Sequence, residues 1–282
     1  MSEGQAASTE GAGQEGRNLL LRIAAALVMA PFAIAMAYFG GWLWICLVTA
    51  AAIGLYVEWL TVIGERRLPL VLSGVLVLLA VGWVEIEHFD VASVSTLVVL
   101  GVAVAAIFSR ERRGWAVAGI AYALTAAIAS SVVRRDPIFG FVALMFVLLV
   151  VWATDIGGYF AGRLIGGPKL WPRVSPKKTW AGAIGGFAAS LGVAVGFAVC
   201  GFGKAVSLLL LGAVLSVAAQ LGDLFESAVK RRFGVKDSSH LIPGHGGLMD
   251  RLDGFVAAIA LAALFGFLRG GADGAGHGLM VW

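Results

Sequence analysis

The sequence predicts an all-α fold, a polytopic integral membrane protein of about nine transmembrane helices. Three observations carry that expectation. Of 282 residues, 60% are hydrophobic and only 13% charged, against roughly 25% charged in a soluble domain. Apolar runs of spanning length recur along the chain, separated by charged or Gly/Pro-rich punctuation. Lys and Arg are distributed very unevenly between alternate connecting loops.

The polar start, MSEGQAASTEGAGQEG, lacks the basic n-region of a secretory signal and reads as a disordered cytoplasmic tail over 1–16. Apolar segments follow, centred near Val28, Ala52, Leu76, Leu100, Leu124, Leu149, Ser190, Ala213 and Ala260. A bilayer core requires ~20 helical residues, which each segment supplies. The third and fourth are the shortest, divided by EIEHFD at 85–90, so eight spans with a re-entrant piece compete with nine. An inward N-terminus puts Arg17, Arg22, Arg66, Arg67, Arg110, Arg112, Arg113, Arg163, Lys169, Arg173, Lys177, Lys178, Lys230, Arg231, Arg232, Lys236 and Arg251 on the cytoplasmic side. That is seventeen of the 21 basic residues, leaving Arg134, Arg135, Lys204 and Arg269 outside, as the positive-inside rule requires. The expected location is therefore the cell's inner membrane, with the N-terminus and both polar loops cytoplasmic.

No internal repeat or Pro/Ser-rich linker divides the chain. Residues 17–282 read as one transmembrane catalytic domain, with scaffold helices to about 135 and catalytic helices and loops over about 150–270, because polar groups concentrate after Trp152. Cys46 and Cys200 show no zinc or redox spacing and read as packing residues. A net charge of +4, spread over short loops, gives no nucleic-acid footprint. Trp42, Trp44, Trp59, Trp152 and Trp171 mostly fall where interfacial anchors are expected.

The densest chemistry lies at 227–253, SAVKRRFGVKDSSHLIPGHGGLMDRLD, just after the intramembrane Asp223. A carboxylate at that depth costs roughly 2.5 to 3.5 kcal/mol and needs compensation. Ser227, Lys230 and Arg231 follow Asp223 at helical spacing on one face. An ion pair docking two helices is the plainer reading, and a metal ligand or catalytic carboxylate the sharper one. The glycines of PGHGG, including Gly246 and Gly247, allow close backbone approach to a ligand, and Asp250 and Asp253 stand one turn apart at the start of the ninth span. With Asp223 they form a candidate divalent-metal set, although N-capping accounts for one of them. Lys230, Arg231, Lys236 and Arg251 are candidates for neutralising phosphate oxygens. His245 reads equally as a general acid/base or as a hydrogen-bonding turn residue.

A second cluster occupies 152–182, WATDIGGYFAGRLIGGPKLWPRVSPKKTWAG. Asp155 is intramembrane, and Gly157, Gly158 and Gly162 thin the helix around it for a ligand or another chain. Ser175, Lys177, Lys178 and Thr179 form a short basic loop suited to phosphate, or an ordinary positive-inside loop. Glu58, in the second span, is a third buried acid, favoured as structural through Arg66 or Arg67 over lining a cavity.

These residues closely resemble the phosphatidate cytidylyltransferase (CDP-diacylglycerol synthase) family. Its signature is matched in order by Ser227, Lys230, Arg231, Lys236, Asp237, Pro243, His245, Gly246, Gly247, Asp250, Arg251 and Asp253. LGD ending at Asp223, the SPKKT loop and Asp155 with its glycines are also similar to the family, Glu58-Trp59 more weakly. The chain departs at Ala181, where an acid or amide is common, and at Gly167, where a basic residue is common. The resemblance implies transfer from CTP to phosphatidate, giving CDP-diacylglycerol and pyrophosphate for phospholipid biosynthesis. It implies Mg²⁺ on Asp223 and Asp250, with Asp253 as ligand or neighbour, and a monovalent ion such as K⁺ sharing the site. Lys230, Arg231, Lys236 and Arg251 would hold phosphates, and Ser175, Lys177, Lys178 and Thr179 would complete the pocket with Ser227, Asp155, Gly246 and Gly247. Partners are then CTP, phosphatidate and the bilayer, with a homodimer or a lipid cleft at the glycine-rich sixth and seventh spans. The nearest competitor is the same chemistry on another lipid phosphate. A cation transporter is the competitor from a different class, and a CDP-alcohol phosphotransferase matches only Asp253-Gly254.

Overall fold

Apolar segments in hydrocarbon have no water to satisfy their peptide groups, so helices are the structure open to them. The computed structural model describes residues 28–87, 89–239 and 246–282. Its helices are α1 (Val28–Phe39), α2 (Gly41–Val62), α3 (Leu68–Glu87), α4 (Val91–Phe108), α5 (Arg113–Arg135), α6 (Gly140–Leu164), α7 (Trp180–Val199), α8 (Ala205–Arg232), α9 (Met249–Gly270) and the short α10 (Ala275–Met280). Among the described residues, α2 to α9 make eight helices long and apolar enough to cross a membrane. The first expected span is described only from Val28 onward, as α1. The 1–16 tail lies outside the described residues.

The 85–90 stretch divides two helices that are each long and apolar enough to cross a membrane. α3 runs 20 residues through Glu85 to Glu87, and α4 runs 18 from a cap at Asp90, whose carboxylate accepts from the Ser93 N–H and hydroxyl, both at 2.8 Å. The SPKKT segment is a strand rather than a loop. β1 (Lys169–Trp171) and β2 (Ser175–Thr179) pair antiparallel, with Lys169 opposite Thr179 and Trp171 opposite Ser175.

Two apolar clusters fill the bundle. One joins Phe146, Val150, Leu211, Leu215 and Ile259 of α6, α8 and α9. The other joins Leu55, Trp59, Leu78, Ile120 and Leu124 of α2, α3 and α5. Large apolar side chains such as Leu164, Val199, Val206 and Leu268 point outward, the pattern of helices solvated by lipid. Trp44 and Trp59 are core residues rather than interfacial anchors, their indole N–H groups donating to the Ser130 and Trp115 carbonyls at 3.2 and 2.8 Å. Cys46 and Cys200 sit on the outer surface of the bundle, not in its packing.

Several glycines of α6 and α7 face each other. A Cβ on Gly182 would stand 2.8 Å from the Gly158 carbonyl oxygen, and one on Gly157 would stand 2.6 Å from the Ala189 Cβ and 3.0 Å from the Gly185 carbonyl oxygen. These small residues bring the two backbones together within one chain. Gly157, Gly158, Gly182, Gly185 and Gly186 are used in this contact, whereas Gly192 and Gly196 of α7 meet nothing within 4 Å. The consequence is positional, because α6, the β1–β2 hairpin and the start of α7 form one corner beside α8.

Candidate active site

Asp223, Glu226 and Lys230 occupy successive turns of α8, three and four residues apart, and therefore share a face. Asp253, one turn into α9, faces them where the two helices cross closely: a Cβ on Gly222 would stand 2.6 Å from the Asp253 carbonyl oxygen. One carboxylate oxygen each from Asp223, Glu226 and Asp253 lies within 4.8 Å of the others. Glu226 is buried, and its Oε1 has no hydrogen-bond partner among the described residues.

Two lysines enter this group from different directions. Lys178 of β2 forms an ion pair with Asp223, both side chains 28% exposed. Lys230 bridges Glu226 at 3.1 Å and Asp250 at 2.5 Å. The structure therefore places Asp250 differently from the expected Asp223/Asp250 pair. One of its oxygens meets Lys230, and the other accepts from the Ser238 N–H at 3.2 Å, the Ser238 hydroxyl at 3.1 Å and the Gly247 N–H at 3.1 Å. It joins the three-carboxylate group through Lys230. Four carboxylates so close repel strongly at low dielectric, and the lysines offset part of that repulsion.

The remaining candidates fall into distinct places. The Ser227 hydroxyl lies 3.4 Å from Asp223 Oδ1. Asp155, on the exposed side of α6, is within electrostatic reach of Asp223 and Lys178. Thr179 is buried and caps α7, its hydroxyl accepting from the Gly182 N–H at 3.1 Å. Ser175 is half-buried in the hairpin, while Lys177, Lys236 and Arg251 are exposed. Arg231 donates to the Val174 carbonyl at 3.5 Å, fastening the hairpin to the end of α8. Gly246 has a positive φ of 84° beside Asp250. His245 lies outside the described residues.

One residue at the site escapes the sequence reading, and a second has other partners than expected. Glu226 carried a signal, being spaced i+3 from Asp223 and i−4 from Lys230. Glu58 was placed with Arg66 or Arg67, yet its carboxylate accepts from the Leu248 and Met249 N–H groups at 2.8 and 2.7 Å and from the Ser238 and Ser239 hydroxyls at 3.0 and 2.5 Å. Partners 180 or more residues away leave no local trace in sequence.

An apolar helix bundle whose acids and lysines converge at one end defines a polytopic membrane protein with a charge-dense polar site. The family described as the cytidylyltransferase family matches residues 20–268, and the chain belongs to it. A protein named phosphatidate cytidylyltransferase from Brucella suis biovar 1 (strain 1330) is 41% identical over 263 residues, covering 88% of this chain and 93% of the relative. Proteins of the same name are 43% identical over 47% of this chain and 48% of the relative in Haemophilus influenzae, and 49% identical over 42% of this chain and 46% of the relative in Staphylococcus saprophyticus.

Proposed function

We propose that this protein is a nucleotidyltransferase that converts CTP and phosphatidate into CDP-diacylglycerol and pyrophosphate. The observation that carries the reading is the meeting of Asp223, Glu226 and Asp253 within 4.8 Å beside Lys178 and Lys230. Membership of the cytidylyltransferase family and the names of its relatives support it.

An oxygen of the lipid phosphate attacks the α-phosphorus of CTP, the bond from that phosphorus to the bridging oxygen breaks, and pyrophosphate leaves with the electron pair. The attacking phosphate is ionised at neutral pH, so the step requires no strong general base, and His245 would serve to position groups. The difficulty is bringing two anions together, which demands fixed positive charge rather than proton transfer. Lys178 and Lys230 are held by Asp223, Glu226 and Asp250, and Arg231, Lys236 and Arg251 lie on exposed chain nearby. Lys177 and Ser175 would face the lipid phosphate from the hairpin.

Asp223, Glu226 and Asp253 would hold Mg²⁺, with a monovalent ion as a further occupant. The donors fit, because they are hard oxygens and the buried Glu226 Oε1 has no partner among the described residues. When bound, the metal supplies charge neutralisation on the triphosphate and polarises the α-phosphoryl group. Asp155, exposed on the flank of α6, supports a site open sideways to lipid, with the tails in hydrocarbon and CTP arriving from the cytoplasm. The basic residues of the site-side loops support that inward orientation.

The test is to incubate purified protein in detergent with radiolabelled CTP, phosphatidate and Mg²⁺ and to measure lipid-extractable label. Label should require phosphatidate and fall about 100-fold or more in Asp223→Asn and Asp253→Asn, as when a group stabilising transition-state charge is removed. Absence of label from folded wild-type protein would refute the reaction.

A further inference from the structure

Glu58 lies in α2, within the half of the chain that reads as scaffold, and only 3% of it is exposed. A buried carboxylate requires partners on both oxygens. Glu58 finds them in two short stretches on either side of residues 240–247. Oε1 accepts from the Ser239 hydroxyl at 2.5 Å and the Leu248 N–H at 2.8 Å, and Oε2 from the Ser238 hydroxyl at 3.0 Å and the Met249 N–H at 2.7 Å. Gly247 must be glycine for this arrangement, since a Cβ there would collide with the Ser238 hydroxyl and stand 2.7 Å from Glu58 Oε2.

The network continues into the charged group. Ser238 shares its hydroxyl between Glu58 Oε2 and Asp250 Oδ2, and its N–H also points to Asp250 Oδ2. Asp250 Oδ1 holds Lys230, and Lys230 pairs with Glu226. An unbroken sequence of polar contacts therefore runs from α2 through Ser238, Asp250 and Lys230 to the three-carboxylate cluster.

We propose that Glu58 is a positioning residue for the transfer reaction, fixing Ser238 and the start of α9 so that Asp250 aims Lys230 into the carboxylate cluster. The assignment rests on the proposed reaction. A carboxylate is required because it offers two acceptor oxygens to four donors. Gln in its place would turn an NH₂ group toward one of two backbone N–H groups, and neither of these can rotate away.

The experiment measures kcat and KM for CTP, per folded protein, in wild type, Glu58→Gln and Ser238→Ala. Ser238→Ala removes the hydroxyl that joins Glu58 to Asp250, while leaving the N–H of residue 238 on Asp250 and the Leu248 and Met249 bonds to Glu58 in place. The expected result is a kcat lower by about 10- to 100-fold in Glu58→Gln, the range that misplaced reacting groups produce. Ser238→Ala should show a smaller fall, and KM should be nearly unchanged in both. A merely structural clamp would lower the thermal midpoint and yield but leave kcat per folded molecule intact, and that outcome overturns the proposal. A rise in KM alone overturns it too, since Glu58 would then serve binding. Should Glu58→Gln fail to fold, Ser238→Ala decides alone, wild-type kcat there refuting the role. A wild-type enzyme without turnover would bring down the reaction itself and this role with it.

Discussion

At the scale of single residues, the site depends on how each carboxylate is compensated. Asp223 has Lys178, Asp250 has Lys230 and three further donors, and Glu226 shares Lys230 yet keeps one oxygen without a partner among the described residues. The signature's acids were legible as types, but which of them group together depends on rotamers and helix crossing. Glu226, which spacing did not single out, accordingly groups with Asp223 and Asp253, while Asp250 meets them through Lys230. Away from the site, Glu65 lies between α2 and α3 and accepts from the Ser109 hydroxyl and the Arg110 N–H, both at 2.7 Å. Burial pushes its carboxyl up, but the bonds from Ser109 and the backbone of residues 110–112 prevail and hold it below the usual range. A depressed folded value means that the stabilisation is complete above the unfolded value, near 4.3, and is lost as pH falls through the folded one. Glu65→Gln should therefore cost about 2 kcal/mol at pH 7, on the scale of hydrogen bonds to a charged group. Thermal unfolding of both proteins should show the gap narrowing only below the ordinary carboxylate range, and a gap constant with pH would discard this account.

At the scale of elements, the glycine contact between α6 and α7 sets where β2 delivers Lys178. Gly182→Val would press into the Gly158 carbonyl and should cost about 1 to 3 kcal/mol, typical of overpacking, with transferase activity falling as the hairpin shifts from Asp223. Gly192, on the same helix, has nothing within 4 Å of an added Cβ. Gly192→Ala should keep both the thermal midpoint and the activity in detergent, and equal behaviour of the two variants would disprove the packing argument. The glycines were conspicuous in sequence, but their partners were not. A small-residue stripe permits close approach without naming what approaches.

At the scale of the molecule, the span order alternates, bringing the α2–α3, α4–α5, α6–α7 and α8–α9 connections to one face and α10 to the other. Single cysteines replacing Arg110 and Asp273, both exposed, in a chain whose Cys46 and Cys200 are changed to Ala, test the proposed orientation. A membrane-impermeant thiol reagent should label position 273 in spheroplasts and position 110 only in inverted vesicles, and the opposite pattern would reverse the topology. Hydropathy, loop charge and the 227–253 signature determined the helical class, the approximate number of spans and the family, because length, polarity and ordered motif residues are properties of the chain itself. Tertiary structure decided that Trp44 and Trp59 are core, that Gly157 and Gly158 of α6 pack on Gly182, Gly185 and Gly186 of α7, that Glu226 joins Asp223 and Asp253, and that Glu58 reaches across to Ser238 and Met249. Each of these depends on which helix faces meet, and periodicity within one segment carries no information about its neighbour.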